Sequence, residues 1–213
     1  QRVTLLTPNY QRTLVEDLSL SLESGEGLVL VGNSGSGKSS ILRAIAGLWN
    51  AGTGHLTRPP LQEMLFLPQR PYMVLGSLRS QLLYPHTDRP IDEQQLRQVL
   101  EQVNLTDLPE RLGGFDAQLD WANVLSLGEQ QRLAFARLLL AQPAYAILDE
   151  ATSALDLGNE KRLYQQLKAM KTTTVSVGHR ASLLQYHKYV LKLEGDSRWQ
   201  LMLTDEYTAD ATS

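Results

Sequence analysis

The chain has 213 residues, a formal net charge of −3, 42% hydrophobic and 20% charged residues, and no cysteine. Weak acidity without any Lys/Arg run gives no reason to expect a polyanion, so no nucleic acid is expected as a partner. The absence of cysteine excludes a disulfide framework and a thiolate metal site.

Short strands and turns are predicted in the first part of the chain. Strands are indicated by an apolar run over 3–6, alternating leucines over 14–22, and continuous apolar runs over 28–31 and 64–67. The two continuous runs are typical of buried parallel strands. Apolar residues at helical spacing over 40–49 predict a helix that ends near Gly47 and Gly52.

From Pro71 to about Gln142 the pattern changes to helices, and strands return after it. This order predicts an α/β sheet core interrupted by a helical subdomain, with a polar end from Asp205 that is expected to fray. The predicted elements of this part are helices over 91–103, 129–140 and 160–170, strands over 145–148 and 173–177, and a hairpin over 189–193 and 199–203.

One segment fits the phosphate-binding pattern G-x-x-x-x-G-K-S, and it lies between a predicted strand and a predicted helix. Glycines let successive backbone N–H groups converge on phosphate oxygens, and the helix N-terminus adds a partial positive charge. Lys38 would reach the β- and γ-phosphates of ATP, and the Ser39 hydroxyl would bind Mg²⁺. The candidate nucleotide-binding residues are Gly32, Asn33, Ser34, Gly35, Ser36, Gly37, Lys38, Ser39 and Ser40.

Two acidic residues follow the predicted strand over 145–148. A phosphate loop needs an acid at the end of a neighbouring strand to hold magnesium, and Asp149 supplies it. Glu150 is placed to polarise an attacking water. The alternative is that two adjacent acids simply begin a solvated loop.

Several further motifs resemble those of ABC ATPases. Leu125-Ser126-Leu127-Gly128-Glu129, followed by Gln130-Gln131-Arg132, is similar to the signature motif LSGGQ-x-QR. Ser153 to Asp156 resembles the D-loop, His179 the switch histidine and Gln69 the glutamine of the Q-loop. The resemblance implies a P-loop NTPase with a RecA-like core, an antiparallel β subdomain and an inserted helical subdomain. It predicts a single domain over 1–213, with a catalytic core over 1–70 and 141–213 and a helical subdomain over 71–140.

The resemblance also implies roles. Two copies would pair head to tail, with each Mg-ATP between the phosphate loop of one copy and the signature helix of the other. Ser126, Gly128 and Glu129 would belong to that helix end, although Ser126 and Glu129 also form the sequence pattern of a capping box. In the family's pattern His179 contacts the γ-phosphate and Asp156 communicates across the interface, while Gln69 senses magnesium. Lys38, Glu150 and His179 are therefore the predicted catalytic residues.

Two positions depart from the family pattern, since Leu127 replaces a glycine and Glu129 a glutamine. A side chain at Leu127 is expected to crowd a phosphate. The aromatic residue that would stack on adenine is assigned to Tyr10, and the alternative is an ordinary exposed loop tyrosine.

The segment from Arg70 to Leu83 and the pair Asp120-Trp121 resemble subfamily D half-transporters and bacterial relatives of the vitamin B12, bleomycin and antimicrobial-peptide type. In such proteins a membrane domain precedes the ATPase. The chain begins at Gln1, shows no signal peptide and has no stretch of the roughly 20 apolar residues that span a bilayer. We therefore expect an ATPase domain, soluble when isolated, from a longer chain at the cytoplasmic face of a membrane, the bacterial inner membrane. Residues 70–83 are the expected contact with the membrane domain.

Other classes of P-loop protein fit the sequence less well. Chromosome-maintenance ABC ATPases separate the phosphate loop from the acidic strand by a long coiled coil, which the stretch from Lys38 to Asp149 does not contain. Translation-type members carry two cassettes, and a P-loop kinase would not need the signature, D-loop and switch histidine together. A soluble ABC-type ATPase in nucleic-acid, ribosome or assembly work is the remaining alternative.

Overall fold

A computed structural model of the chain describes residues 1–207, which form two compact units. The first unit comprises Gln1–Phe66, Ala144–Glu150 and the described residues from Lys171 onward. The second comprises Leu67–Pro143 and Ala151–Met170. The structure thus groups 151–170 with the helical residues, and the expected inserted subdomain over 71–140 stays a prediction.

The first unit contains two sheets. Three strands form a sheet in the order β2-β1-β4, in which β1 is antiparallel to both neighbours. Six strands form the larger sheet in the order β5-β6-β7-β3-β8-β9, where β6, β7, β3 and β8 are parallel and β9 returns antiparallel. The strands are β1 Val3–Leu6, β2 Thr13–Leu18, β3 Gly27–Gly32, β4 Gly52–Thr53, β5 Met64–Leu67, β6 Tyr145–Asp149, β7 Thr173–Val177, β8 Tyr189–Gly195 and β9 Arg198–Leu203.

The predicted strands are confirmed with small changes at their ends. The main difference is β2, which ends at Leu18 although leucine alternation continues to Leu22. Asp17 adopts a φ of 53°, and the pairing with β1 is irregular. Leu20 and Leu22 still pack against the core from outside the strand.

The helices are α1 Lys38–Ile45, α2 Leu78–Leu83, α3 Glu93–Gln102, α4 Leu108–Arg111, α5 Trp121–Val124, α6 Leu127–Ala141 and α7 Leu157–Ala169. Short 3-10 helices cover Leu61–Glu63 and Ala181–Tyr186. Helix α1 ends at Ile45, close to the predicted end near Gly47, whose φ of 77° favours helix termination. Trp49 then leaves the helix, and its indole donates to the Leu6 carbonyl at 2.9 Å.

The core of the first unit joins the two sheets through α1. Apolar side chains of β3, β7 and β8 pack with Ile41 and Leu42 of α1 and with Leu5 and Val15 of the smaller sheet. Burial of this apolar surface stabilises the arrangement that holds the loop between β3 and α1.

The second unit has a separate helical core and a buried cation. Trp121 is buried, and its indole donates to the Gly76 carbonyl at 2.7 Å. Arg137 of α6 donates to the Gln81 carbonyl at 2.5 Å and to the Tyr72 carbonyl at 2.7 Å. Burial lowers the pKa of Arg137 to about 10, partly offset by Tyr84, whose ring lies 5.5 Å from the guanidinium.

The buried Gln81 side chain completes this network. Its amide donates to the Val74 carbonyl at 2.6 Å and accepts from the Val74 N–H at 3.0 Å. The chain between Tyr72 and Val74 is therefore fixed by side chains of α2 and α6, while Tyr72 and Leu75 point outward and are 64% and 96% exposed.

Residues 204–207 form a single helical turn, so the fraying expected from Asp205 is not seen there, and the rest of that segment lies outside the described residues. Across residues 1–207, no helix combines the length and apolar character that crossing a bilayer requires.

Candidate functional site

Three chain segments meet at one edge of the larger sheet. The carboxyl ends of neighbouring parallel strands lie together, and the parallel pairs here are β6 with β7 and β7 with β3. The acids at 149 and 150 follow β6, His179 follows β7 and the phosphate loop follows β3. This edge is where open α/β sheets bind their ligands.

The loop between β3 and α1 has the backbone expected of a phosphate cradle. Gly37 is the N-cap of α1 with a φ of 102°, a conformation that a side chain would strain. Lys38 is 7% exposed, and its ammonium group donates to the Gly32 and Asn33 carbonyls, both at 2.8 Å. The buried Ser36 hydroxyl makes no hydrogen bond to any of the residues that the structure describes. An orphaned donor at this place fits an anion as the ligand.

The predicted magnesium ligands on this edge lie side by side. The Ser39 hydroxyl donates to the Asp149 carboxylate at 3.1 Å. Burial raises the pKa of Asp149, partly offset by the Ser39 hydrogen bond. Within residues 1–207 no three His, Cys, Asp or Glu side chains gather as metal ligands.

Glu150 and His179 form the second polar pair. Glu150 has a left-handed φ of 51°, and its N–H donates to the Val177 carbonyl at 3.0 Å. A non-glycine residue in this region marks local strain, which concentrates at functional sites. Its carboxylate lies 3.0 Å from Nε2 of His179. Glu150 and His179 were both predicted from the sequence as site residues, but their contact with each other was not predicted.

The edge carries both signs of charge. Burial lowers the pKa of Lys38, whereas the nearby Glu150 and Asp149 carboxylates raise it. Lys38 is thus a buried cation beside two acids, and such a set of charges suits a polyanionic ligand bound together with a divalent cation.

The signature residues begin α6 in the second unit. Ser126 is the N-cap, and its hydroxyl accepts from the Glu129 N–H at 3.3 Å while Glu129 accepts from the Ser126 N–H at 2.9 Å. The capping box predicted from the sequence is therefore confirmed. Leu127 is half-buried at the first helical position.

Gly128 has a packing role that the motif alone does not indicate. A Cβ at Gly128 would lie 3.1 Å from the Ala154 carbonyl and 3.8 Å from the Leu155 side chain. The missing side chain lets the segment from Ser153 to Asp156 approach α6 closely. Asp156 is the N-cap of α7, and its carboxylate accepts from the Asn159 N–H at 2.8 Å.

Gln131 was not among the predicted site residues, and the structure makes it the link between two motifs. Its buried amide donates to the Gln69 carbonyl at 2.8 Å and to the Ser153 hydroxyl at 3.1 Å, and it accepts from the Ala154 N–H at 3.0 Å. The sequence could have indicated Gln131 as a polar residue on the buried side of an apolar helix, because buried polar side chains are almost always hydrogen-bonded.

Three more residues were predicted from the sequence to belong to the site. Ser40 is half-buried in the first turn of α1. Gln69 is an exposed residue of the second unit, just after β5. Tyr10 is 65% exposed in the turn between β1 and β2, with a φ of 57°. Leu14, four residues later, lies 3.2 Å from where a Cβ of Gly37 would stand. The adenine-stacking role of Tyr10 stays a prediction.

Comparison with known proteins gives the site its context. Residues 15–153 match the family described as ABC transporter. An uncharacterised ABC transporter ATP-binding protein of Synechocystis is 55% identical over 201 residues, covering 94% of this chain and 30% of that protein. The human lysosomal cobalamin transporter ABCD4 is 43% identical over 212 residues, covering 95% of this chain and 35% of that protein.

A solved structure agrees with the fold. A bacterial Atm1-family ABC exporter, solved with ATP bound, matches with a TM-score of 0.80 and 24% identity over 98% of this chain and 40% of that chain. This chain spans about a third of the length of the Synechocystis and human relatives.

Proposed function

This chain belongs to the ABC transporter family as an ATP-binding and ATP-hydrolysing domain, and we propose that two copies pair head to tail around two Mg-ATP to power a membrane domain. The observation that carries the proposal is the joint presence, at one sheet edge, of a phosphate loop, a Ser39–Asp149 pair and a Glu150–His179 pair.

The phosphate loop would hold the triphosphate. Lys38, which now donates to two carbonyls of its own loop, has the charge and reach to donate to phosphate oxygens instead. The Ser36 hydroxyl would gain a partner in the same exchange. Ser39 and Asp149, with Gln69, are the proposed residues for Mg²⁺, which when bound would neutralise charge on the phosphates.

Hydrolysis would rely on Glu150 and His179. A carboxylate 3.0 Å from an imidazole nitrogen is held in one orientation, which suits it to accept a proton from an attacking water. His179 would then serve two purposes, since it orients Glu150 and is the proposed contact to the γ-phosphate.

The second copy would complete each site. Ser126, Gly128 and Glu129 begin a helix whose N-terminal end carries a partial positive charge, and such ends bind phosphates. Asp156 is proposed to lie at the same interface between copies. Because the site would be whole only in the pair, ATP binding would close it and hydrolysis would release it.

The proposed partner is a transmembrane domain, on the same full-length chain, with the ATPase at the cytoplasmic face of a bacterial inner membrane. The relatives favour this over soluble nucleic-acid, ribosome or assembly work, because those named here are a transporter, a transporter ATP-binding protein and an exporter. Residues 70–83 are the proposed contact, with Tyr72 and Leu75 exposed on them.

We expect Glu150→Gln to keep ATP affinity, to lose turnover by on the order of 10²- to 10⁴-fold, and to form an ATP-dependent dimer. The amide keeps the shape of the side chain and cannot accept the proton. Phosphate release and analytical ultracentrifugation with Mg-ATP measure the two effects. Glu63→Gln, an exposed acid of a 3-10 helix in the same unit, is the matched control. Unchanged turnover in Glu150→Gln would remove Glu150 from the mechanism.

A further inference from the structure

The N-terminal end of α6 carries a carboxylate that the family's signature pattern does not have. Glu129 occupies the third helical position, its side chain is 15% exposed, and one of its oxygens accepts from both the N–H and the hydroxyl of Ser126 at 2.9 Å. An acid at this place stabilises the free helix end. It also places a negative charge where a phosphate group is proposed to arrive.

The same carboxylate has a cationic partner outside the motif. The Arg111 guanidinium, at the end of α4, donates to the other oxygen of Glu129. Arg111 also lies 3.8 Å from Asp107, whose side chain is far more exposed than that of Glu129. The two oxygens of Glu129 are thus divided between the helix cap and a guanidinium.

The electrostatics of Glu129 reflect this partner. Burial acts to raise the pKa of Glu129, but the Arg111 and Ser126 hydrogen bonds outweigh it and the pKa is lowered. The same hydrogen bond raises the pKa of Arg111. Both groups are therefore charged, and the pair carries no net charge.

We propose that Arg111 is a positioning residue of the signature site, which neutralises Glu129 so that the N-terminal end of α6 accepts the triphosphate of a second copy. This inference rests on the proposed head-to-tail pairing. Without Arg111, the carboxylate of Glu129 would oppose the incoming phosphate charge through a partly water-excluded interface, where charges are weakly screened. When Arg111 neutralises its charge, Glu129 can take the place of the neutral glutamine of the family pattern.

A purely structural role is the competing explanation, because the same contact also ties α4 to α6. The two explanations differ in what a second substitution does. If charge matters, Glu129→Gln removes the need for Arg111. If the tie matters, Glu129→Gln cannot restore what the loss of Arg111 takes away, since the double variant has no ion pair either.

The experiment compares Arg111→Gln, Glu129→Gln and the double variant, all in the Glu150→Gln background that traps the dimer. The dimerisation constant in saturating Mg-ATP is measured by analytical ultracentrifugation, with monomer affinity for a fluorescent ATP analogue and thermal unfolding measured alongside. Arg111→Gln should weaken the dimer roughly 10- to 100-fold while nucleotide affinity of the monomer is unchanged. The double variant should dimerise like Glu129→Gln alone.

Arg97→Gln is the matched control, since Arg97 pairs with Glu93 and Glu110 in the same unit and neither acid belongs to the signature motif. A double variant as weak as Arg111→Gln, or an Arg111→Gln dimer as tight as its parent, would overturn the proposal. If Arg111→Gln does not fold, Glu129→Gln and the double variant are each compared with the Glu150→Gln parent: dimers as tight as the parent's support the charge role, and weaker dimers refute it. A Glu150→Gln parent that stays monomeric in Mg-ATP refutes the head-to-tail pairing itself, and this inference with it.

Discussion

At the scale of single residues, the buried Gln131 amide shows how one side chain can hold two motifs. It bonds the backbone at Gln69 and at Ala154, residues far apart along the chain, from a helix that also begins with the signature residues. The segment from Ser153 to Asp156 is further held by the Thr152 hydroxyl, which donates to the buried Glu160 at 3.0 Å. The loop before α7 is therefore fixed from two helices.

We expect Gln131→Leu to lower the free energy of unfolding by about 1–3 kcal/mol, because it removes several buried hydrogen bonds while keeping the side-chain volume similar. Urea unfolding followed by circular dichroism measures this. Gln98→Leu changes an exposed glutamine on α3 and should stay within about 0.5 kcal/mol of the parent. Equal stability of the two variants would show that the Gln131 bonds contribute little.

The residues proposed to bind phosphate and Mg²⁺ could be predicted from the sequence because their chemistry needs a fixed order of residue types in the phosphate loop and an acid at the end of a strand. Lys38, Ser39 and Asp149 were predicted in this way, and the structure brings Ser39 and Asp149 into contact. Gln131 and Arg111 were missed because their partners come from distant segments. No local pattern states which carbonyl or carboxylate a long polar side chain will meet after folding.

At the scale of secondary-structure elements, His187 joins three strands of the larger sheet. It stands between a 3-10 helix and β8, where its Nδ1 donates to the Leu183 carbonyl at 2.7 Å and its Nε2 accepts from the Ser176 hydroxyl of β7 at 2.8 Å. Its own carbonyl accepts from Thr204 at 2.7 Å, after β9. Both ring nitrogens are engaged in the neutral form, and burial lowers the pKa of His187 to about 4.

This pKa gives a stability prediction with a definite sign. An unfolded histidine titrates near 6.5 and the folded one near 4, so between these values the unfolded state binds more protons. The neutral His187 therefore contributes stability above pH 6.5, and about 3 kcal/mol of it is lost as the pH falls to 4. His187→Gln should show a shallower loss over this window in urea unfolding. Parallel pH profiles for parent and variant would contradict the assignment.

Element types were predictable where hydrophobic periodicity is strong, as in β3, β7 and α6. The two-residue strand β4 could not be predicted, since Gly52 and Thr53 form it only by pairing with β1. The order of the strands in the larger sheet could not be predicted from the sequence either. Glu150 meets His179 because β7 lies beside β6. Strand order depends on the packing of the whole core rather than on any one segment.

At the scale of the whole molecule, the chain has half of a proposed composite site in each of its two units. The phosphate loop belongs to one unit and Ser126 to the other. Each copy would thus provide one half to each of two nucleotides, which makes concentration a determinant of activity.

We expect the chain to be largely monomeric without ATP, because nucleotide would supply much of the contact between copies. Sedimentation velocity in nucleotide-free buffer tests this, and turnover per chain should rise with chain concentration in Mg-ATP. A tight dimer in the absence of nucleotide would contradict the proposed ATP-dependent pairing. Turnover per chain that is independent of concentration would argue for a site completed within one copy.

The buried Arg137 and Gln81 network has a consequence for the energetics of assembly. By bonding the backbone at Tyr72 and Val74, it restricts the conformational freedom of a segment that presents Leu75 almost fully to solvent. Ordering a flexible segment on binding costs about 1–2 kcal/mol for each residue. Here that entropy is lost when the helical unit folds. A membrane-domain helix that covered Leu75 would therefore gain the benefit of apolar burial without paying for the ordering of this segment.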